Sequence, residues 1–233
     1  MVKEQLTFYL KVEEKLKRHD FFVSKCNCHV LKALDNHNSW SNKKLIILGP
    51  KSSGKTHLLK MWSNEVDAKI FNLQDLLEED ISCLLKYNFV AIDNLNDLSD
   101  FSKQSRVLIE EVLFYLLNSK LSQNNFGNTI LMTTNKPLSC EDVFLKDLLS
   151  RLLATETVTL KPPDEKLINA LFVKLFYDRQ LRVSPSLINY ISLNIERTFE
   201  AINEFVKEID MIALREKTNF TKSLAKEILK RKE

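Results

Sequence analysis

Gly49-Pro-Lys-Ser-Ser-Gly-Lys-Thr56 constrains this chain more than any other stretch, because its chemistry demands a strand before it and a helix after it. The chain has three glycines in 233 residues and places two of them here. Gly49 and Gly54 let successive backbone N–H groups turn inward and form a nest for phosphates. Lys55 is then placed to reach the β and γ phosphates as a point charge, and the Thr56 hydroxyl to ligate Mg²⁺. Both flanks supply the required context: Lys43-Lys-Leu-Ile-Ile-Leu48 reads as a strand, and Thr56-His-Leu-Leu-Lys-Met-Trp62 reads as a helix whose amino end adds its dipole. The ligand implied is a nucleotide with Mg²⁺, held by Gly49, Pro50, Lys51, Ser52, Ser53, Gly54, Lys55, Thr56 and His57.

Short apolar or β-branched runs that end in turn residues predict five strands: Leu45 to Leu48, Ala68 to Leu73, Phe89 to Asp93, Asn128 to Thr133 and Thr155 to Leu160. Between them lie helical patterns. Val107, Leu108, Glu111, Val112, Tyr115 and Leu116 recur at helical spacing and stop before the loop cluster Gln123-Asn-Asn-Phe-Gly127. Such alternation predicts a parallel sheet covered on both faces. Lys161-Pro-Pro-Asp164 changes the texture, since two prolines block the last strand and Asp164 can cap a helix. Beyond it the chain reads as helical throughout. Leu167, Ile168, Leu171, Phe172, Leu175 and Phe176 form one stripe, Pro185 starts a helix, and Ala201, Phe205, Ile209 and Ile212 continue the pattern. The Lys-rich end keeps an inner face at Leu224, Ile228 and Leu229. The expected organisation is α/β: a flexible segment over residues 1–19, a nucleotide-binding domain over 20–161, and a small all-helical lid over 162–233.

A net charge of +3, from 34 basic and 31 acidic side chains, is too balanced for a nucleic-acid coat or a membrane patch. The amino terminus lacks the apolar core and cleavage site of a signal peptide, and no run of about 18 apolar residues occurs. A cytoplasmic protein is expected, with Cys26, Cys28, Cys83 and Cys140 as reduced thiols. Cys26-Asn-Cys28-His29 has no second ligand pair, so packing explains it better than metal binding.

Phe89-Val-Ala-Ile-Asp93 supplies the second element a nucleotide site needs. It is an apolar strand ending in a carboxylate that can hold Mg²⁺ beside Thr56, 37 residues after that threonine. Many ATPases carry another carboxylate next to it to orient the attacking water; here the residue is Asn94. An amide cannot take a proton from water, so slow intrinsic hydrolysis is expected. Asn135 follows the strand Thr129-Ile-Leu-Met-Thr-Thr134 and could touch the γ phosphate, whereas Arg151 and Arg197, taken singly, read as surface charges.

Taken together, these residues resemble the AAA+ ATPases of the bacterial initiator group, over roughly residues 20 to 230. Phe22-Val-Ser-Lys-Cys-Asn27 resembles that family's adenine-side segment, with Ser24 where glycine is usual, and assigns Phe22 and Val23 to the base. Gly54-Lys-Thr-His-Leu-Leu59 resembles its phosphate loop and following helix, which implies ATP or ADP as the nucleotide. Leu149-Ser-Arg-Leu152 resembles the motif carrying the arginine finger, which implies that Arg151 completes a neighbouring subunit's site. By the same resemblance Asn135 is sensor 1 and Arg197 is sensor 2.

Within the group, the chain is most similar to the Hda branch, DnaA-related regulators that inactivate DnaA after replication begins. It ends after the lid without the helix-turn-helix domain of DnaA, and Asp93-Asn94 matches the Hda form. Gln5-Leu-Thr-Phe-Tyr9 resembles the peptide that docks on the DNA polymerase sliding clamp, with Phe8 where Leu is usual. Leu6 and an aromatic would enter an apolar groove while Gln5 makes directional hydrogen bonds, with Thr7 between them. The resemblance implies a negative regulator of initiation whose partners are the clamp and DnaA, with self-association possible, no membrane contact, and DNA reached only through the clamp. Two rivals stand beside it. One is an initiator fragment or helicase loader acting on single-stranded DNA; the other is a P-loop kinase or hydrolase with a small-molecule substrate.

Overall fold

The computed structural model describes Arg18 and residues 21–118, 128–216 and 222–230. Five parallel strands form one sheet in the order β2-β3-β4-β1-β5: β1 Lys44–Leu48, β2 Lys69–Phe71, β3 Phe89–Ile92, β4 Thr129–Thr134 and β5 Glu156–Thr159. β4 lies at the centre and is buried along its whole length, which is why Thr129-Ile-Leu-Met-Thr-Thr134 shows no inside-outside alternation.

The two faces are filled by alternate residues of the strands. Ile46, Val90, Ile92, Ile130 and Met132 point to one face, where α5 (Lys103–Asn118) and α6 (Lys146–Leu153) cover them. Leu45, Ile47, Ala91 and Leu131 point to the other, under α1 (Cys28–Asp35) and α2 (Lys55–Val66). Trp40 and Trp62 stack within that second layer at 5.3 Å. Two short helices, α3 (Asp75–Glu78) and α4 (Ile81–Leu84), lead from β2 to β3.

β2 is shorter than the expected span over residues 68–73. Asn72 and Asp75 exchange side-chain hydrogen bonds with each other's backbone N–H at 2.8 and 2.9 Å, and this reciprocal turn takes the chain out of the sheet into α3. The periodic stripe over 107–116 identified α5 but not its buried face. Val107, Leu108 and Tyr115 are solvent-exposed, whereas Arg106, Ile109, Glu110, Leu113, Leu116 and Leu117 are buried.

After β5 the described elements are all helices: α7 Glu165–Asp178, α8 Pro185–Asn194, α9 Phe199–Glu216 and α10 Lys222–Lys230. Asp164 caps α7 by accepting from the Leu167 amide at 2.8 Å, and Ser184 caps α8 with Pro185 at its start. Phe172, Phe176, Phe205, Ile209 and Ile228 fill the core of this group. A small cluster of Cys26, Leu167 and Phe199 joins it to the segment before α1.

Arg18 lies within the terminal segment expected to be flexible, yet it bonds Asp35 on α1 and Glu65 on α2, each at 2.7 Å. The clamp-type peptide Gln5 to Tyr9 and the loop cluster Gln123 to Gly127 lie outside the described residues. No helix among those described is long and apolar enough to cross a membrane.

Candidate functional site

Residues 49 to 54 join the carboxyl end of β1 to the amino end of α2, where orphan backbone N–H groups and the helix dipole face outward together. Gly54 sits at φ +90°, a conformation that an L side chain rarely adopts. Gly49 is needed for a different reason: a Cβ there would lie 2.9 Å from the Leu160 Cβ. Lys51 and Ser52 are exposed, with Ser52 at φ 62°, and Ser53 is buried. Lys55 is folded back into the loop, its Nζ donating to the carbonyls of Gly49 and Pro50 at 2.8 Å each. Burial pushes its ammonium down to about 8, with the Asp93 charge opposing that shift.

Asp93 follows β3 and is held from both sides. Its Oδ2 accepts from the Thr56 hydroxyl at 2.7 Å, and its Oδ1 accepts from the Thr133 hydroxyl. The Thr133 oxygen in turn accepts from the Asn94 backbone N–H at 2.8 Å. Thr56 and Asp93 are hard oxygen donors of the kind Mg²⁺ takes alongside phosphate and water, and their juxtaposition fits that ion.

Asn94 lies in the left-handed region at φ 57°, where asparagine and aspartate are tolerated best, and opens a short 3-10 turn over Leu95–Asp100. Within that turn Asn96 accepts from the Thr134 hydroxyl at 2.7 Å and from the Asn135 backbone amide. Asn135 is thereby brought to the same end of the sheet as Lys55 and Asp93. Asp97 is there too: burial and the charges of Asp100 and Asp93 hold its carboxyl above the usual range, with Lys51 pulling it back.

On the adenine side, Phe22 and Val23 are both more than half exposed, at 51% and 55%. The segment after them is braced by Asn27, whose side chain takes the Ser24 amide at 2.8 Å and donates to the Phe22 carbonyl at 2.9 Å. Phe21 was not singled out from the sequence, but it meets the edge of His57 at 5.3 Å and would touch a Cβ placed on Gly54 at 3.3 Å. Cys26 is buried beside Ser24, and His29 Nε2 meets the Thr159 carbonyl at 2.7 Å, so these two residues of the Cys-Asn-Cys-His run serve packing. Arg197 is exposed, two residues before Phe199, which packs on Cys26.

Arg151 stands apart from this assembly. It lies in the last turn of α6 with its guanidinium 5.4 Å over the Phe114 ring, and it depresses Lys44, whose ammonium is lowered first by burial and then by this neighbouring charge. Lys44 begins β1 and the phosphate loop follows its end, so the two places are separated by the strand's length, about 16 Å at 3.3 Å per residue.

Thr133, Asn96 and Asp97 were missed in the sequence. The only signal was a pair of threonines closing an otherwise apolar central strand, where a purely packing strand would carry aliphatic residues.

The fold matches domain III of the Thermotoga maritima replication initiation protein DnaA with a TM-score of 0.70, over 95% of this chain and 98% of that one, at 16% identity. The chain has the AAA+ fold of DnaA domain III. DnaA from Aquifex aeolicus bound to AMPPCP shares that fold with this chain at a TM-score of 0.59 and 18% identity, over 84% of this chain and 65% of that one. A RuvB mutant from Thermotoga maritima aligns at 0.59 and 12% over 90% and 70%. In sequence, the chain is 22% identical to DnaA of Buchnera aphidicola subsp. Cinara cedri, over 97% of this chain and 55% of that one. It is also 27% identical to an uncharacterized protein of Haemophilus influenzae, over 78% and 80%. This chain spans about half the length of its DnaA relatives, 55% of one and 44% of another, from Porphyromonas gingivalis. No family model matches the sequence.

Proposed function

We propose that this chain is an Hda-type regulator of replication initiation, which holds ATP or ADP between residues 20–161 and a lid over 162–233 and lends Arg151 to a partner AAA+ protein. The observation that carries this reading is the placement of Arg151. It is exposed in the last turn of α6, which leads into the start of β5 beside the start of β1, a strand's length from the chain's own phosphate loop, and is therefore available to a neighbour rather than to its own nucleotide.

Lys55 and the backbone of residues 49 to 54 would bind the phosphates, Phe22 and Val23 the base, and Asn135 and Arg197 would read the γ phosphate. Thr56 and Asp93 would hold Mg²⁺, which neutralises phosphate charge when bound. With Asn94 in place of a second acid, intrinsic turnover is slow, and the chemistry takes place on the nucleotide of DnaA. There the Arg151 guanidinium stabilises charge developing on the γ phosphate, converting DnaA-ATP to DnaA-ADP. Gln5, Leu6, Thr7, Phe8 and Tyr9 dock the chain on the sliding clamp, so that this happens only where the clamp sits on DNA.

The deciding experiment measures DnaA ATP hydrolysis with clamp-loaded DNA and this protein. Arg151→Ala should remove about 10³ to 10⁵ of the stimulated rate, as loss of an arginine finger does. Undiminished stimulation would refute the mechanism, and failure of Gln5→Ala to weaken clamp binding would remove the docking step. One observation favours a second reading: DnaA bound to AMPPCP and single-stranded DNA shares this fold at a TM-score of 0.60 over 84% of this chain. Salt-dependent binding of single-stranded DNA without the clamp would select that initiator or loader role instead.

A further inference from the structure

We propose that the buried Arg106–Glu110 pair of α5 is the positioning element that fixes α6, and with it Arg151, at the angle required to enter a partner's nucleotide site. The proposal rests on the reading of Arg151 as a finger and adds the device that aims it.

The two side chains are 8% and 1% exposed, and Arg106 Nε donates to Glu110 Oε1 at 3.1 Å. Each charge also reaches across to the segment that leads into α6. Glu110 Oε1 accepts from the Phe144 amide at 3.0 Å and Oε2 from the Leu145 amide at 2.7 Å. Arg106 Nη2 donates to the Glu141 carbonyl at 2.8 Å, and its guanidinium carbon lies 3.5 Å over the Phe144 ring.

Leu145 occupies the cap position of α6, and α6 has no side-chain cap of its own there. Glu110 therefore takes the amide of the cap residue from another helix, as the glutamate of a capping box takes it from within its own helix. One turn further along α5, Phe114 receives the guanidinium of Arg151. Residues 106, 110 and 114 follow at helical spacing, so one face of α5 grips α6 at its entry and again at its finger.

Stability alone does not account for this pair. A buried ion pair loses solvation, and an apolar pair of similar volume commonly serves as well or better. What the charges add is direction: hydrogen bonds at 141, 144 and 145 leave the axis of α6 little freedom. An eight-residue helix has little stability of its own and takes its orientation from such contacts.

The test uses the full chain with Glu110→Gln, which keeps the shape of the side chain but cannot accept from both amides with the same charge. Amide hydrogen exchange at Phe144, Leu145 and across α6 should accelerate by about tenfold or more, as loss of charge-assisted hydrogen bonds implies. Exchange at β4 and nucleotide binding by this chain should stay as they are. In the DnaA assay the maximal stimulated rate should fall about tenfold or more with little change in the half-saturating concentration of this protein, because docking is intact and aim is lost. Adding Arg151→Ala should lower the rate to the floor set by that substitution alone.

Unchanged exchange across α6 would overturn the proposal, and so would accelerated exchange with an undiminished maximal rate. Should Glu110→Gln fail to fold, Arg106→Met with Glu110→Leu removes both charges without stranding one, and carries the same two readouts. If Arg151→Ala by itself leaves stimulation intact, the finger reading fails, and the exchange measurement still decides whether the pair anchors α6.

Discussion

The Thr133 hydroxyl donates to Asp93 and at the same time accepts from the Asn94 backbone N–H, so a residue on the central strand fixes the carboxylate that faces Thr56. Thr133→Val preserves volume but leaves a carboxylate oxygen and a backbone N–H unpaired in a site where Thr133 is fully buried. The expected loss is about 1 to 3 kcal/mol of stability. It should come with a larger drop in nucleotide affinity when Mg²⁺ is present than when it is chelated. Thr133→Ser should behave nearly as the natural chain in melting curves and in titrations with and without Mg²⁺.

Lys55 gives a pH dependence with a definite sign. Its ordinary value of 10.5 falls to about 8 in the fold, so the folded state disfavours the charged form. The destabilisation from this group is fully present below about pH 8 and fades as the pH rises towards 10.5. A bound phosphate draws the lysine back to its charged form. ADP binding at about pH 9 should therefore take up a proton and weaken as the pH rises further, whereas at about pH 6 no uptake should occur. Titration calorimetry in buffers of different ionisation enthalpy measures the uptake directly, and a value of zero at the higher pH would contradict it.

Gly49→Ala should harm the protein through packing rather than through the phosphates. The new methyl would stand 2.9 Å from the Leu160 Cβ, which is tied to the backbone beyond β5 and cannot swing away. Overpacking of this kind costs about 1 to 3 kcal/mol. Thermal melting without nucleotide should reveal the loss, and a melting temperature equal to that of the natural chain would contradict it.

Phe199→Ala is expected to separate base recognition from phosphate recognition. Phe199 packs on Cys26 and Leu167, next to the segment that carries Phe22 and Val23, and makes no part of the loop at 49 to 54. Besides a stability cost of about 3 to 5 kcal/mol, its loss should weaken ADP binding several-fold while inorganic pyrophosphate binds as before. Equal weakening of both ligands would argue against the division.

Much of the fold was legible because it follows from periodicity that the sequence states locally. Leu45 and Ile47 face one layer and Ile46 the other, and the phosphate loop demands its flanking strand and helix. The buried face of α5 was not legible. Hydropathy assigns Arg106 and Glu110 to solvent and Val107 and Leu108 to the interior, and only their partners at 141 to 145 reverse that. At the phosphate loop, the sequence singled out both Thr56 and Asp93, and the fold joins them by a hydrogen bond. Thr133 and Asn96 were missed because they act through hydrogen bonds between β4 and the turn after β3, which lie far apart in the chain, and no spacing rule encodes such pairs.

Asn94 carries a last consequence. Its backbone at φ 57° suits aspartate as well as asparagine, and its hydrogen bond to Thr133 uses the main chain rather than the amide. The turn is therefore indifferent to which of the two residues occupies it. Their codons differ by one base, so a lineage could cross between the amide and the acid in a single mutational step with the scaffold untouched. Conformation does not choose between the two side chains here; what separates them is the negative charge an aspartate would add beside Asp93.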